Sequence, residues 1–201
     1  MENFDFYFDY GSPTSYLAYA QLPGIIARTG VTVNFRPILL GGLLQQTSNQ
    51  SPMDLPAKRK WMTADMEFFA GRYGVPFAVN PHFPINTLVL MRGAVYAQQE
   101  GFLDQYSDAV FDAMWGNPVN MADPSVIAKV LRTADLDVEK IVAGTQDPII
   151  KDRLKANTQE AFDRGAFGAP TVFIGERMFF GQDRMRYVEE LLAANEKQSC
   201  Q

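Results

Sequence analysis

Ser12 is the side chain in this sequence whose type and setting are best suited to chemistry. It stands directly before Pro13, and this pair is typical of a helix start, because the hydroxyl can cap free amides and proline has no amide to leave unpaired. A hydroxyl at a helix start also favours a bound anion, since the aligned peptide dipoles place roughly half a positive charge there. The pattern alone favours a plain capping role for Ser12.

The sequence offers few other reactive groups. Cys200 is the only cysteine and His82 the only histidine among the 201 residues. One cysteine excludes a disulfide framework or a Cys-x-x-Cys pair within the chain. A single histidine disfavours a zinc site made of protein ligands. It also disfavours Ser-His-Asp and Cys-His catalysis. We therefore expect no metal.

The composition is that of a globular protein, with 47% hydrophobic and 20% charged residues. A net charge of -5 argues against nucleic acid as a partner, because phosphate binding needs clustered basic residues and the only short basic run is at residues 58–60. The sequence has no stretch of eighteen consecutive apolar residues. Its first residues do not show a basic region followed by an apolar stretch, as a secretory signal would. We expect a cytoplasmic protein with no membrane partner.

The first 37 residues predict a strand-helix-strand unit. Phenylalanines alternate with other residues over residues 4–8, which predicts a strand, and a helix follows from Pro13 to about Gly30, kinked or split at residues 22–24. Alternation over residues 31–35 predicts the second strand. A connection of this kind is right-handed and joins parallel strands.

The middle of the chain is expected to be a connection followed by a helical block. Residues 38–55 contain glycines and prolines among polar residues and predict a long connection. Residues 57–165 have helical apolar spacing throughout and predict no strand. Asp123 and Asp147 each precede a proline, so each is expected to cap the start of a helix.

The end of the chain returns to β-structure. Residues 171–174 and 177–180 predict a hairpin joined by a tight Gly-Glu turn, and Asp183 is expected to cap a last helix. The order β-α-β, helical block, β-β-α matches an α/β, thioredoxin-like fold with a large all-helical insertion. We predict two closely packed subdomains of one unit: a thioredoxin-like part from residues 1–55 and 166–201, and the helical insertion from 56–165.

Three segments should meet at one end of such a sheet: residues 11–13, 168–171 and 181–184. Their arrangement resembles the kappa-class glutathione transferases and the bacterial 2-hydroxychromene-2-carboxylate isomerases, over nearly the whole chain. Residues 83–87, Phe-Pro-Ile-Asn-Thr, and 165–171, Gly-Ala-Phe-Gly-Ala-Pro-Thr, resemble the isomerase branch in particular.

The resemblance implies that the reacting thiol comes from glutathione. Related disulfide oxidases carry Cys-x-x-Cys where this sequence has Ser-Pro-Thr-Ser at residues 12–15, so exchange through protein thiols is not available. The resemblance makes Ser12 the catalytic hydrogen-bond donor to the glutathione sulfur. It also implies that Ala169 pairs its backbone with the cysteinyl part of the ligand and that Pro170 follows a cis bond, although most X-Pro bonds are trans.

The resemblance assigns further contacts to glutathione. Asp183, assisted by Gln182, would hold the γ-glutamyl ammonium, and Asn49 and Lys58 would contact the glutathione backbone and carboxylate. Asn86 would contact the second substrate. From the residues alone, Asp183 is equally a helix cap, Asn49 and Lys58 are equally solvent-exposed, and Asn86 is equally the start of a helix.

The resemblance implies a glutathione-dependent isomerase that interconverts 2-hydroxychromene-2-carboxylate and trans-o-hydroxybenzylidenepyruvate-type compounds in aromatic catabolism. Its partners would be a small aromatic substrate, glutathione and a second copy of the chain in a homodimer. Two alternatives stay open: a kappa-like transferase or peroxidase, and a non-catalytic thioredoxin-like binding module. Function cannot be inferred from the fold alone.

Overall fold

The computed structural model describes the backbone of residues 3–199 and the side chains of residues 3–194. Cys200 lies outside the described residues. The strands are β1 (Asn3–Phe8), β2 (Thr32–Pro37), β3 (Thr171–Ile174) and β4 (Arg177–Phe180). The helices are α1 (Pro13–Tyr19), α2 (Leu22–Thr29), α3 (Leu40–Gln46), α4 (Pro56–Tyr73), α5 (Leu88–Glu100), α6 (Leu103–Phe111), α7 (Pro124–Thr133), α8 (Val138–Gln146), α9 (Pro148–Asp163) and α10 (Met185–Ser199).

The sheet has the strand order β2-β1-β3-β4. Strands β1 and β2 are parallel, with Phe6 opposite Phe35, and β3 is antiparallel to both β1 and β4. The predicted β-α-β unit and the predicted hairpin are therefore confirmed, as is the α/β fold with a helical block between its two halves.

Both faces of the sheet are covered, because β1 buries side chains on each side. The three phenylalanines of β1 pack in the main core with the helical block. Tyr7 points to the opposite face, where it packs with Ile38, Leu43 and Phe173 among others. Alternation in the sequence thus identified the strand, but burial extends to the residues between the phenylalanines.

The first helix is split, as the Pro-Gly pair predicts. Helix α1 ends at Tyr19, and α2 runs from Leu22 to Thr29 and is capped by Gly30, whose left-handed φ of 64° suits glycine. Since α1 has only two turns, the peptide dipole at Ser12 comes from a shorter helix than the sequence suggested.

Two expectations for the middle of the chain are wrong in part. The connection at residues 38–55 contains helix α3, despite Gly41 and Gly42, because α3 packs on α9. The helical block is not helical throughout, since residues 75–87 link α4 to α5 without a helix and contain three prolines. The aspartates before Pro124 and Pro148 do cap α7 and α9, accepting from Ser125 N and Ile149 N at 2.8 Å.

The main buried cluster contains side chains from the sheet half and from the helical block. The division at residues 55 and 165 into subdomains stays a proposal. Within the described residues, no helix is both long enough and apolar enough to span a membrane.

Candidate active site

A cleft of about 600 Å³ opens at the end of the sheet beside helix α4, and we call it the Ser12 cleft. The three segments predicted to meet do meet here. Its lining includes residues 11–14, 167–169 and 180–183, together with side chains from α3, residues 49–53 and α4.

Ser12 caps α1 and also faces this cleft. Its side-chain oxygen accepts from Ser15 N at 3.1 Å, which is the capping bond. The same hydroxyl donates to the carbonyl oxygen of Ala169 at 2.9 Å. Ser12 is 3% exposed, so its hydroxyl is held at the floor of the cleft. The capping role of Ser12 is therefore confirmed, and its role toward glutathione stays a prediction.

Thr14 adds a second hydroxyl that the sequence analysis did not identify. Its Oγ1 lies 3.0 Å from Ser12 Oγ and 3.3 Å from the Ala169 carbonyl oxygen. Two hydroxyls thus share one acceptor. If Ser12 turns its proton toward a ligand, Thr14 can continue to satisfy the buried carbonyl, which avoids the cost of leaving it unpaired.

The segment before β3 brings the main chain close to Ser12. The Ala169–Pro170 peptide is cis, as the resemblance implied. Pro170 is buried and does not line the cleft, although its carbonyl accepts from Gly181 N at 3.1 Å. A Cβ at Gly168 would lie 2.8 Å from the Phe180 ring, so a larger residue there would displace this ring of the cleft wall.

Two carboxylates, Asp65 and Asp183, line the cleft. Asp183 lies within a 3₁₀ turn at residues 182–184, before α10, so the expectation that it caps the last helix is wrong. Asp65 projects from α4, and its pKa is raised by partial burial and by the negative charge of Asp183. Asp65 was missed in the sequence. Its spacing of four from both Trp61 and Phe69, which also line the cleft, was the available signal.

Gln182 precedes Asp183 in the chain and anchors this turn in the protein interior. It is buried, its side-chain carbonyl accepts from the Tyr73 hydroxyl, and its main-chain oxygen accepts from Gln21 Nε2 at 3.1 Å. Burial and the negative charge of Asp183 raise the pKa of Tyr73 to about 12. Tyr73 therefore stays protonated at neutral pH and holds the Gln182 amide in a fixed orientation.

The remaining predicted site residues divide into two groups. Asn49 lines the cleft and donates from Nδ2 to the Phe167 carbonyl at 2.9 Å. Lys58, in the first turn of α4, is exposed and does not line the cleft. Asn86 is also exposed and outside the lining, and its side-chain oxygen accepts from Leu88 N at 3.0 Å at the start of α5.

Aromatic side chains form much of the cleft wall. Trp61 is 66% exposed, and the rings of Phe167 and Phe180 are 4.5 Å apart between centroids. Phe69 and Phe83 complete this wall. The cleft therefore combines an aromatic surface with hydroxyl, amide and carboxylate groups, a combination typical of small-molecule sites.

Asp9 lies beneath the site and ties two of its walls together. Its Oδ1 accepts from Gly11 N and its Oδ2 accepts from Leu40 N, both at 2.8 Å. Burial raises the pKa of this carboxyl, and the two main-chain donors oppose that shift. The turn before Ser12 and the start of α3 are thus held by one side chain.

The fold defines a thioredoxin-like protein, and beside the cleft the start of its first helix, residues 12–15, is Ser-Pro-Thr-Ser, with no cysteine. The chain belongs to the DSBA-like thioredoxin domain family, whose match covers residues 3–193.

Among curated proteins, the chain is 30% identical to a 2-hydroxychromene-2-carboxylate isomerase of Sphingobium xenophagum, over 94% of this chain and 96% of that protein. It is 28% identical to glutathione S-transferase kappa 2 of Caenorhabditis elegans, over 94% of this chain and 90% of that one. A solved structure of a 2-hydroxychromene-2-carboxylate isomerase superposes with a TM-score of 0.89, at 28% identity and 98% coverage of each chain. The resemblance stated from the sequence is confirmed.

Proposed function

We propose that the protein is a glutathione-dependent isomerase that interconverts 2-hydroxychromene-2-carboxylate and trans-o-hydroxybenzylidenepyruvate-type aromatic compounds. The observation that carries this proposal is the composition of the Ser12 cleft, where a buried hydroxyl, two carboxylates and an aromatic wall line one space. The isomerases and kappa transferases among its relatives support an enzyme that works with glutathione.

The groups in the cleft fit the chemistry of glutathione. Asp183 and Asp65 repel each other when both are ionised, so an ammonium group between them relieves that repulsion. The γ-glutamyl end of glutathione carries such a group. Ser12 offers a hydroxyl donor for a thiolate, and Thr14 beside it can keep the Ala169 carbonyl paired. Asn49, Gln182 and the main chain of Ala169 supply the polar contacts for the peptide part.

Glutathione supplies a thiolate that adds reversibly to the conjugated double bond of the substrate, so that this bond can rotate before the thiolate leaves. Ser12 holds the sulfur as an anion by donating its hydroxyl proton, and Thr14 takes over the Ala169 carbonyl. The acidic pair fixes the other end of glutathione. The protein thus contributes orientation and thiolate stabilisation.

The aromatic wall accounts for the second substrate. The indole of Trp61 and the ring pair of Phe167 and Phe180 offer flat apolar surface beside the hydroxyls. A flat aromatic ring buries its faces there, and its conjugated side chain then lies within reach of the sulfur. Asn86 and Lys58 lie outside this lining, so their proposed roles require contacts made at the rim of the cleft.

The test of this proposal is an activity assay with controlled glutathione. Purified protein is mixed with trans-o-hydroxybenzylidenepyruvate, with and without reduced glutathione, and the ultraviolet spectrum of the substrate is followed. We expect isomerisation that requires glutathione and leaves its concentration unchanged. Full activity after complete removal of glutathione would contradict the proposal.

A kappa-like transferase or peroxidase is the second candidate, because the kappa transferase similarity covers 94% of the chain. The products distinguish the two. A transferase yields a stable thioether, a peroxidase yields oxidised glutathione, and an isomerase yields neither. A non-catalytic binding module would show no activity change when Ser12 is replaced by alanine.

The quaternary structure and location are also proposals. We propose a homodimer in the cytoplasm, as the resemblance to glutathione enzymes implies. Light scattering coupled to size-exclusion chromatography would give a mass near 45 kDa for two chains of 22.5 kDa each. A mass near 22.5 kDa at micromolar concentration would contradict the dimer.

A further inference from the structure

A second cleft of about 640 Å³ lies between α3, α5 and α9. Helix α3 separates it from the Ser12 cleft: Leu40 and Leu44 line the Ser12 cleft, whereas Gly42 and Gln46 line the second cleft. Positions 40 and 44 share one face of a helix, and positions 42 and 46 share the opposite face. The second cleft is therefore a distinct space that shares a wall with the proposed active site.

The second cleft is positively charged in a protein whose net charge is -5. Arg92, Lys151 and Lys155 line it, and none of the aspartates and glutamates among the described side chains does. The two lysines have partners elsewhere: Lys151 donates to Gln146 at 3.3 Å, and Lys155 lies 3.7 Å from Asp152 on the protein surface. Arg92 has no ion-pair partner among the described residues.

Arg92 carries the strongest sign that a ligand belongs here. Its Nε is buried and has no hydrogen-bond partner in the part of the chain that the structure describes. Buried donors in folded proteins are nearly always paired, because an unpaired donor loses its water and gains nothing in return. Because Arg92 also lines the cleft, its guanidinium offers charge to an anion there, and a turn of the side chain would bring the free Nε donor to that anion.

The rest of the lining determines what kind of anion fits. Leu39, Leu88 and Leu154 contribute apolar wall, and the volume falls within the range of small-molecule sites. A small inorganic anion keeps its hydration and gains nothing from leucine side chains. A carboxylate attached to a flat apolar body satisfies both Arg92 and the leucines.

We propose that the second cleft is a binding site for a small aromatic carboxylate. The carboxylate pairs with Arg92, supported by the positive charges of Lys151 and Lys155, and the ring packs on the leucine side chains. This proposal is independent of the function proposed for the Ser12 cleft, because it uses none of the same side chains.

The test is calorimetric titration of 1-naphthoate into the full-length protein at low salt. We expect wild-type protein to bind, Arg92→Gln to bind about tenfold more weakly through loss of a charge-assisted contact, and the neutral analogue 1-naphthalenemethanol to be insensitive to this substitution. The matched control is Arg153→Gln, an exposed arginine of helix α9 that lines a different surface hollow. This control should bind within about twofold of wild type.

A second variant keeps the test decisive if Arg92→Gln does not fold, as judged by its thermal melt. Lys155→Gln removes an exposed charge of the same cleft and should weaken binding several-fold while leaving the melt unchanged. Absence of naphthoate binding to wild type at millimolar concentration would overturn the proposal. Equal binding by wild type and both cleft variants would also overturn it, since that binding would belong to another surface such as the aromatic Ser12 cleft.

Discussion

Ser12 shows how a capping residue can also serve a ligand. Its oxygen accepts from Ser15 N, and this bond does not use its proton. The proton is donated to Ala169, for which Thr14 is a ready alternative donor. Turning the Ser12 proton toward a sulfur therefore leaves the helix capped and the carbonyl paired, which keeps the cost of ligand binding low.

Replacing Ser12 by alanine should raise the pKa of the bound glutathione thiol by about one to two units, because the lost hydrogen bond to an anion is worth about 1.5–3 kcal/mol. The measurement is thiolate absorbance of the complex against pH. Isomerase turnover at pH 7 should fall about 10- to 100-fold. Ser15→Ala is the matched control, since the Ser15 hydroxyl is buried without a hydrogen-bond partner among the described residues. An unchanged thiol pKa in Ser12→Ala would show that Ser12 only caps the helix.

The ionised Asp65 carboxylate is expected to lower the stability of the ligand-free protein and to strengthen glutathione binding. Its raised pKa means that the ligand-free folded protein takes up a proton there more readily than the unfolded chain, so this carboxyl lowers stability as pH rises through its pKa. Asp65→Asn should therefore melt at pH 7 at the same or a higher temperature than wild type, yet bind glutathione about tenfold more weakly.

The pH dependence of binding adds an independent readout for Asp65. Wild-type affinity for glutathione should fall as acid protonates the carboxylate, and this fall should be smaller in Asp65→Asn. Glu67→Gln, an exposed neighbour on α4 that does not line the cleft, should behave as wild type. Equal affinity in Asp65→Asn and wild type would exclude a role for this carboxylate in holding the ammonium.

The sequence located those parts of the site that lie in ordered turns. Ser12 and Ala169 each sit beside a glycine and a proline, Asp183 follows two residues after Gly181, and all three line the cleft. Asp65 was harder to identify, because it lies within a helix and becomes part of the site only when α4 packs beside the sheet. Its meeting with Asp183, more than a hundred residues along the chain, depends on tertiary structure.

At the scale of elements, Asp9 fixes α3 against the turn before Ser12. Asp9→Asn keeps one acceptor oxygen but places an amide NH₂ against a main-chain donor, at either Gly11 or Leu40. We expect a loss of about 1–3 kcal/mol in the free energy of unfolding, measured by urea denaturation. Asp152→Asn, at an exposed surface pair, should change it by less than about 0.5 kcal/mol. A stable Asp9→Asn variant would mean that α3 is held by its other contacts.

Elements with local signals were predicted well, and elements that depend on packing were not. The alternating phenylalanines of β1 and the Asp-Pro helix starts are local, and both are confirmed. Helix α3 contains two adjacent glycines. It forms because Leu43 is buried with Tyr7 on the second face of the sheet, where α3 packs on α9. The local sequence of α3 does not reveal that it packs on α9, since α9 begins about a hundred residues later.

At the scale of the whole molecule, the shared core predicts cooperative unfolding. The main buried cluster joins the phenylalanines of β1 to side chains of α4–α9. Calorimetry should therefore show one transition, with an enthalpy on the order of 140 kcal/mol near 60 °C for 201 residues and equal calorimetric and van't Hoff values. Two separate transitions would instead show that the helical insertion is an independent unit.

The exposure of Trp61 gives the molecule an optical property of its own. The chain has two tryptophans: Trp61 lies in the wall of the cleft at 66% exposure, and Trp115 is buried at 1%. Emission from a solvated indole lies at longer wavelength than emission from a buried one, so the two residues emit differently. A molecule that covers Trp61 should shift its emission to shorter wavelength while Trp115 stays constant. The protein thus carries a built-in fluorescent reporter of what enters its cleft, and Trp61→Phe provides the blank.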